Sequence, residues 1–178
     1  MKSVKGNPQD DSNNRRRFFQ NSIKPNICRL EKITFSEQEL DNYIDFVGKD
    51  LFTHDLRTTL KEFEEADNFG SLIQPTLKSA EDVFEVLEAK DVSGQLFLSE
   101  THKSVLRVLK QTDYLSQKYH VVVANPPYMG ADNTNVELKK WLSKEYPDGK
   151  RDLFSAFVIR NTSLVKKYGL VGMITMQN

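Results

Sequence analysis

Two short apolar runs late in the chain, Tyr119–Ala124 and Leu170–Thr175, constrain the fold more than any other feature. The first is centred on the β-branched run Val121–Val123 and shows no alternation, as expected of a strand covered on both faces in a parallel sheet. A helix from Asp152 to Tyr168 lies between them. Asp152 suits its N-cap, Lys166 and Lys167 its last turn, and Gly169 its end, while Leu153, Phe157, Leu164 and Tyr168 share a face. Strand, helix and strand at this spacing make a right-handed crossover, so residues 119–178 are expected to form a βαβ unit of an α/β sheet. His120, inside the first run, reads as a hydrogen-bonded core or edge histidine rather than a general base.

The preceding residues read as helical. Ser36 and Glu39 form a capping box, with Leu40, Tyr43, Ile44 and Val47 on one face of the helix that follows. A second helix starts at Thr53, turns Leu56, Leu60 and Phe63 inward and sets Lys61 four residues before Glu65. Asn68-Phe69-Gly70-Ser71 breaks it. Further helices are expected from about Ser79 to Ala89, through Val83, Val86 and Leu87, and from about Ser99 to Gln111, through Val105, Leu106 and Leu109. Residues 18–118 are therefore a helix-rich part, with a short strand expected within Pro25–Ile33. Residues 1–17 are too polar to bury and are expected to be a disordered tail, where Arg15-Arg16-Arg17 is a solvated basic patch.

Composition limits what such a chain can do. Its 25 basic and 25 acidic residues cancel, which argues against an autonomous nucleic-acid binder; phosphate contacts should come in part from a further region or a companion chain. One cysteine and three scattered histidines give no zinc-ligand spacing, so no metal is expected. No apolar run reaches the roughly 20 residues of a membrane span, and the start lacks the order of a secretory signal, so a cytoplasmic location is expected.

Asn125-Pro126-Pro127-Tyr128 follows the first strand directly, at the carboxyl end where open α/β sheets place their reactive crevice. These residue types suit an exocyclic amino group, a poor nucleophile because its lone pair is delocalised into the ring. The Asn125 amide oxygen and the Pro126 carbonyl can accept the two amino hydrogens and draw the nitrogen toward tetrahedral geometry. Pro126 and Pro127 fix the backbone that aims the carbonyl. Tyr128 offers a face on which an extruded base can stack. Alone, the tetrapeptide reads equally as a rigid turn; its strand-loop-helix-strand context favours chemistry.

With Arg17-Phe18-Phe19, Ala66-Asp67-Asn68-Phe69-Gly70-Ser71-Leu72-Ile73-Gln74-Pro75, Asn125-Pro126-Pro127-Tyr128-Met129-Gly130, Asp152-Leu153-Phe154 and Gly172-Met173-Ile174-Thr175-Met176-Gln177, the chain resembles a known family. This is the γ-class, type IIG-like adenine-specific DNA methyltransferases, and within them the PglX-like enzymes of BREX phage defence. The resemblance implies a partial Rossmann-like methyltransferase fold, a parallel sheet with a crossover helix, carrying a helix-rich insertion before the Asn-Pro-Pro-Tyr strand. It further implies S-adenosylmethionine as donor to adenine N6, double-stranded DNA with a flipped adenine as substrate, and catalytic roles for Asn125, Pro126 and Tyr128 with Pro127 in support. No Gly-x-Gly occurs among the 8 glycines. The family's main cofactor motif is therefore expected upstream of the region resembled and its target-recognition region downstream, which makes the chain an incomplete enzyme.

Asp67 and Asn68 are weaker candidates for the cofactor site, with a helix-ending turn as the alternative, and Phe154 can edge the pocket. Phe157 reads as core. Trp141 lies on an amphipathic segment, Val136–Tyr146, that serves as a lid or as a surface helix. Other readings stay open: methylation of RNA or of a glutamine side chain, which also present delocalised amino nitrogens, or a non-catalytic remnant that binds a partner.

Overall fold

The capping box forms as its residues require. In the computed structural model, which describes residues 25–48, 52–94, 96–127, 129 and 133–174, Ser36 Oγ accepts from Glu39 N at 3.2 Å. The Glu39 carboxylate accepts in return from Ser36 N at 2.7 Å, so two orphan donors of the first turn are satisfied. Helix α1 (Glu37–Val47) then buries Leu40, Tyr43 and Val47. It packs with α2 (Thr53–Glu62), α4 (Ala80–Glu88) and the long α5 (Leu96–Ser116) around Leu56, Leu60, Phe63, Val83, Leu87, Val105 and Leu109. Between α2 and α4 the chain tightens through a 3-10 turn at Phe63–Glu65, the single turn α3 (Ala66–Phe69) and a second 3-10 turn at Gly70–Leu72.

Several local expectations change. Residues 25–36 contain no strand: Ile33 N donates to Phe63 O and Glu31 N to the Gln111 side chain, so helices rather than a neighbouring strand take this backbone. Lys61 does not pair with Glu65 along its helix. It reaches Glu37 on α1 at 2.5 Å, and Glu65 takes Lys32 at 2.8 Å, because the packed helices offer partners across the bundle. Val86 is 53% exposed, as α4 turns Ala80, Val83 and Leu87 to the core with Phe84 at its margin. The polar tail at residues 1–17 lies outside the described residues.

β1 (Tyr119–Ala124) and β2 (Val165–Met173) pair in parallel, joined through α6 (Val136–Glu145) and α7 (Leu153–Leu164). The architecture is thus mixed α/β with a two-stranded parallel sheet among the described residues. α7 is shorter than its sequence suggests. It stops at Leu164, and Val165 turns extended (φ −84°, ψ 144°) to face Tyr119, so strand pairing overrides the helical preference of the lysines that follow. Lys166 and Lys167 consequently lie on β2, Tyr168 is 91% exposed with φ 66° instead of joining the helix face, and Gly169 lies within the strand. Asp152 occupies the N-cap with extended backbone, yet its side chain makes no capping bond; its carbonyl accepts from Ser155 N and Ala156 N.

The sheet is not covered on both faces. α7 packs against both strands, leaving Val122 and Ala124 half-buried, whereas Val121 is 56%, Val123 79% and Leu170 69% exposed. His120 is also exposed, because the strand that carries it is covered on one side only. No helix among the described residues is long and apolar enough to cross a membrane.

Candidate active site

The loop after β1 is fixed at three points. At its root the ladder runs to the strand tip, with Ile174 N donating to Ala124 O at 3.2 Å. Four residues past Asn125, the Met129 carbonyl accepts from Leu153 N at 3.2 Å, so the first residue of α7 anchors the loop's exit. This bond answers one of the orphan N–H groups at the start of α7. At the far end, Asn135 caps α6 by accepting from Leu138 N at 2.8 Å and donates to Asn68 Oδ1 at 2.8 Å.

Within this frame Asn125 is exposed at the strand tip and engaged by an interaction inside the protein, Pro126 is buried, and Pro127 is exposed. Tyr128 lies outside the described residues. Pro126, packed away with a fixed φ, leaves the backbone that carries its carbonyl little freedom. Asp67 is exposed. Phe154 is half-buried in the first turn of α7.

Asn68 has a role that the sequence did not reveal. Its amide pairs with Asn135, Phe69 stacks on Trp141 with centroids 4.3 Å apart, and Leu72 is buried with Leu138, Leu142, Tyr146, Leu153 and Ala156. The segment from Ala66 to Leu72 therefore attaches the helical part to the loop and to α7. Trp141 belongs to that joint, half-buried on a surface helix, and Phe157 packs on the same cluster.

Arg160 on α7 completes the joint, and sequence reasoning missed it. It is 4% exposed; Nε donates to Ser71 O at 2.8 Å, Nη2 to Leu115 O at 2.7 Å and Nη1 to Ser163 Oγ at 3.1 Å. Burial pulls its pKa down, opposed by the Tyr146 and Tyr119 hydroxyls. Tyr146, whose own hydroxyl donates to Leu72 O, is pushed up to about 12 by burial. The only sequence signal was an arginine on an apolar helix, which identifies no partner.

Of the weaker cofactor candidates, Asp67 is an exposed carboxylate and the Asn68 amide is paired with Asn135.

The described residues thus carry a strand-tip loop on a mixed α/β unit with a parallel pair of strands. A sequence model of the Eco57I restriction-modification methylases matches residues 16–178, and the chain belongs to that family. Among individual proteins it is 36% identical over 126 residues to the adenine-specific methyltransferase BrxX of Escherichia coli O9:H4 (strain HS), covering 69% of this chain and 10% of that protein. It is 29% identical over 168 residues to the adenine-specific methyltransferase PglX of Lacticaseibacillus casei (strain Zhang), covering 90% of this chain and 14% of that protein. The chain thus spans a small part of the relatives it matches.

Proposed function

We propose that the chain is the part of a PglX-like, adenine-specific DNA methyltransferase that grips the target amino group, acting in phage defence or restriction-modification. The anchored loop supports this reading most: Asn125 stands exposed at a strand tip whose exit is tied to α7 through Met129 O and Leu153 N. In this role the Asn125 amide oxygen and the Pro126 carbonyl accept the two hydrogens of the adenine amino group, localising its lone pair as positive charge develops. Buried Pro126 and its neighbour Pro127 hold the acceptors in place in advance. Tyr128 stacks on the flipped base, and Phe154 edges the pocket. No strong base is needed, since the methylated nitrogen can lose its proton to water afterwards.

S-adenosylmethionine is the donor implied by the family, and its methionine end requires residues beyond those present. The bare face of the sheet, Val121, Val123 and Leu170, is consistent with a covering helix of a Rossmann-like fold supplied by another region or a companion chain. In this reading residues 18–118 are the helix-rich insertion, residues 119–178 the βαβ unit, and the location cytoplasmic.

The test joins the wild-type chain to a donor-binding segment from a PglX-like relative and measures transfer of labelled methyl to DNA, RNA and protein. DNA adenine should be the acceptor, and Asn125→Ala should lower the rate about 100- to 1,000-fold, as for loss of one preorganised transition-state contact. An unchanged rate in that variant, or label on RNA or protein instead, refutes the reading.

A further inference from the structure

We propose that Lys150 and Arg151 are phosphate-contacting residues that seat a DNA duplex beside the Asn125 loop, an inference that rests on the reading above. The neutral total hides a strong segregation of charge. Residues 25–118 hold 11 Lys and Arg against 18 Asp and Glu, a net of −7, while residues 119–178 hold 8 against 5, a net of +3, and residues 1–24 hold 6 against 2, a net of +4. A duplex is therefore repelled by the helical part and attracted to the part that carries the loop.

The cations of the two parts also differ in what they do. In the helical part several are taken by carboxylates, Lys32 by Glu65, Arg57 by Glu37 and Asp41, Lys61 by Glu37 and Lys103 by Glu100, and in the loop part Lys144 is taken by Glu145. Lys150 and Arg151 are exposed and, among the described residues, make no ion pair or hydrogen bond, even with their sequence neighbours Asp148 and Asp152. A guanidinium and an ammonium in that state are available to an external polyanion.

Their position is rigid and close to the loop. The turn that carries them leaves α6 at buried Tyr146, whose hydroxyl is held by Leu72 O, and passes Gly149, where Gly149 N donates to Tyr146 O at 3.0 Å. A Cβ on Gly149 would lie 2.8 Å from Ala156 N, so only glycine lets the turn press onto the α7 backbone. Two residues past Arg151, Leu153 N holds the Met129 carbonyl. The cationic pair thus stands two and three residues before Leu153, whose N–H holds the exit of the loop through Met129 O.

The 178-residue chain, titrated into a short labelled duplex and followed by fluorescence anisotropy between about 20 and 200 mM salt, tests this. The plot of log affinity against log salt should flatten by about 0.9 for each lost contact, so by nearly 2 in the Lys150→Ala, Arg151→Ala double variant. Lys150→Arg should keep the wild-type slope, as should Lys103→Ala on α5, and circular dichroism confirms that each variant is folded. An unchanged slope in the folded double variant overturns the proposal, as does a wild-type chain that fails to bind at the lowest salt or that prefers single-stranded RNA. The methyltransferase reading is judged by label transfer in the fused protein and not by this slope, so failure of the phosphate contact and failure of that reading give different results.

Discussion

Replacing Arg160 with methionine keeps an unbranched stem of similar reach and removes the guanidinium that ties three segments together. Two backbone carbonyls lose their donors: Ser71 O in the 3-10 turn, and Leu115 O in the last turn of α5, where no intrahelical partner exists. A buried acceptor left unsatisfied costs about 1–3 kcal/mol, so the two together cost about 2–6 kcal/mol. Removing a buried cation that has only carbonyl and hydroxyl partners returns part of this, since desolvation of the guanidinium opposes folding. The net loss should be about 2–4 kcal/mol. With a urea m-value of about 2 kcal/mol/M, the unfolding midpoint followed by circular dichroism should fall by about 1–2 M with m unchanged. Arg160→Lys, which keeps the charge but not the fork, should lose about half as much. A methionine variant as stable as wild type, or more so, would show that desolvation cancels the bonds and that Arg160 does not hold the joint.

Three other outcomes follow from the same structure. His102 is buried, its Nδ1 sharing a hydrogen bond with the Tyr43 hydroxyl at 2.8 Å, and burial holds its pKa below the ordinary value. The unfolded chain therefore takes up a proton as pH falls through about 6.5 while the folded chain resists it, so stability is lost on acidification. The drop in urea midpoint from about pH 8 to about pH 5.5 should be smaller in His102→Gln than in wild type, and equal drops would dismiss the effect. In Gly169→Ala the new Cβ would lie 2.5 Å from Val165 Cγ2 and 2.7 Å from His120 O, costing about 1–3 kcal/mol, whereas Gly172→Ala meets nothing nearer than 3.9 Å and should be neutral by thermal melting. Titration of the chain alone with S-adenosylmethionine should give a dissociation constant of about 1 mM or weaker by calorimetry; micromolar binding would locate a donor site within these residues.

The sequence by itself determined the elements whose cause is local. Ser36 and Glu39 satisfy a helix start without outside help, and residues 119–124 are too β-branched to favour a helix. The candidate loop was legible as well, because Asn125, Pro126 and Pro127 carry their chemistry and backbone restriction in their own covalent structure. Tertiary structure decided what depends on partners distant along the chain. The end of α7 was misplaced because Tyr119, 46 residues upstream, draws Val165 into a strand. Lys61 leaves its helical neighbour for Glu37 because α1 packs alongside, and Asn68, a turn residue in the sequence, becomes the tie to Asn135. Arg160 could be read only once folding had brought the carbonyls of Ser71 and Leu115 to its two sides. A side chain's covalent nature is written at its own position; the groups that satisfy it are chosen by packing.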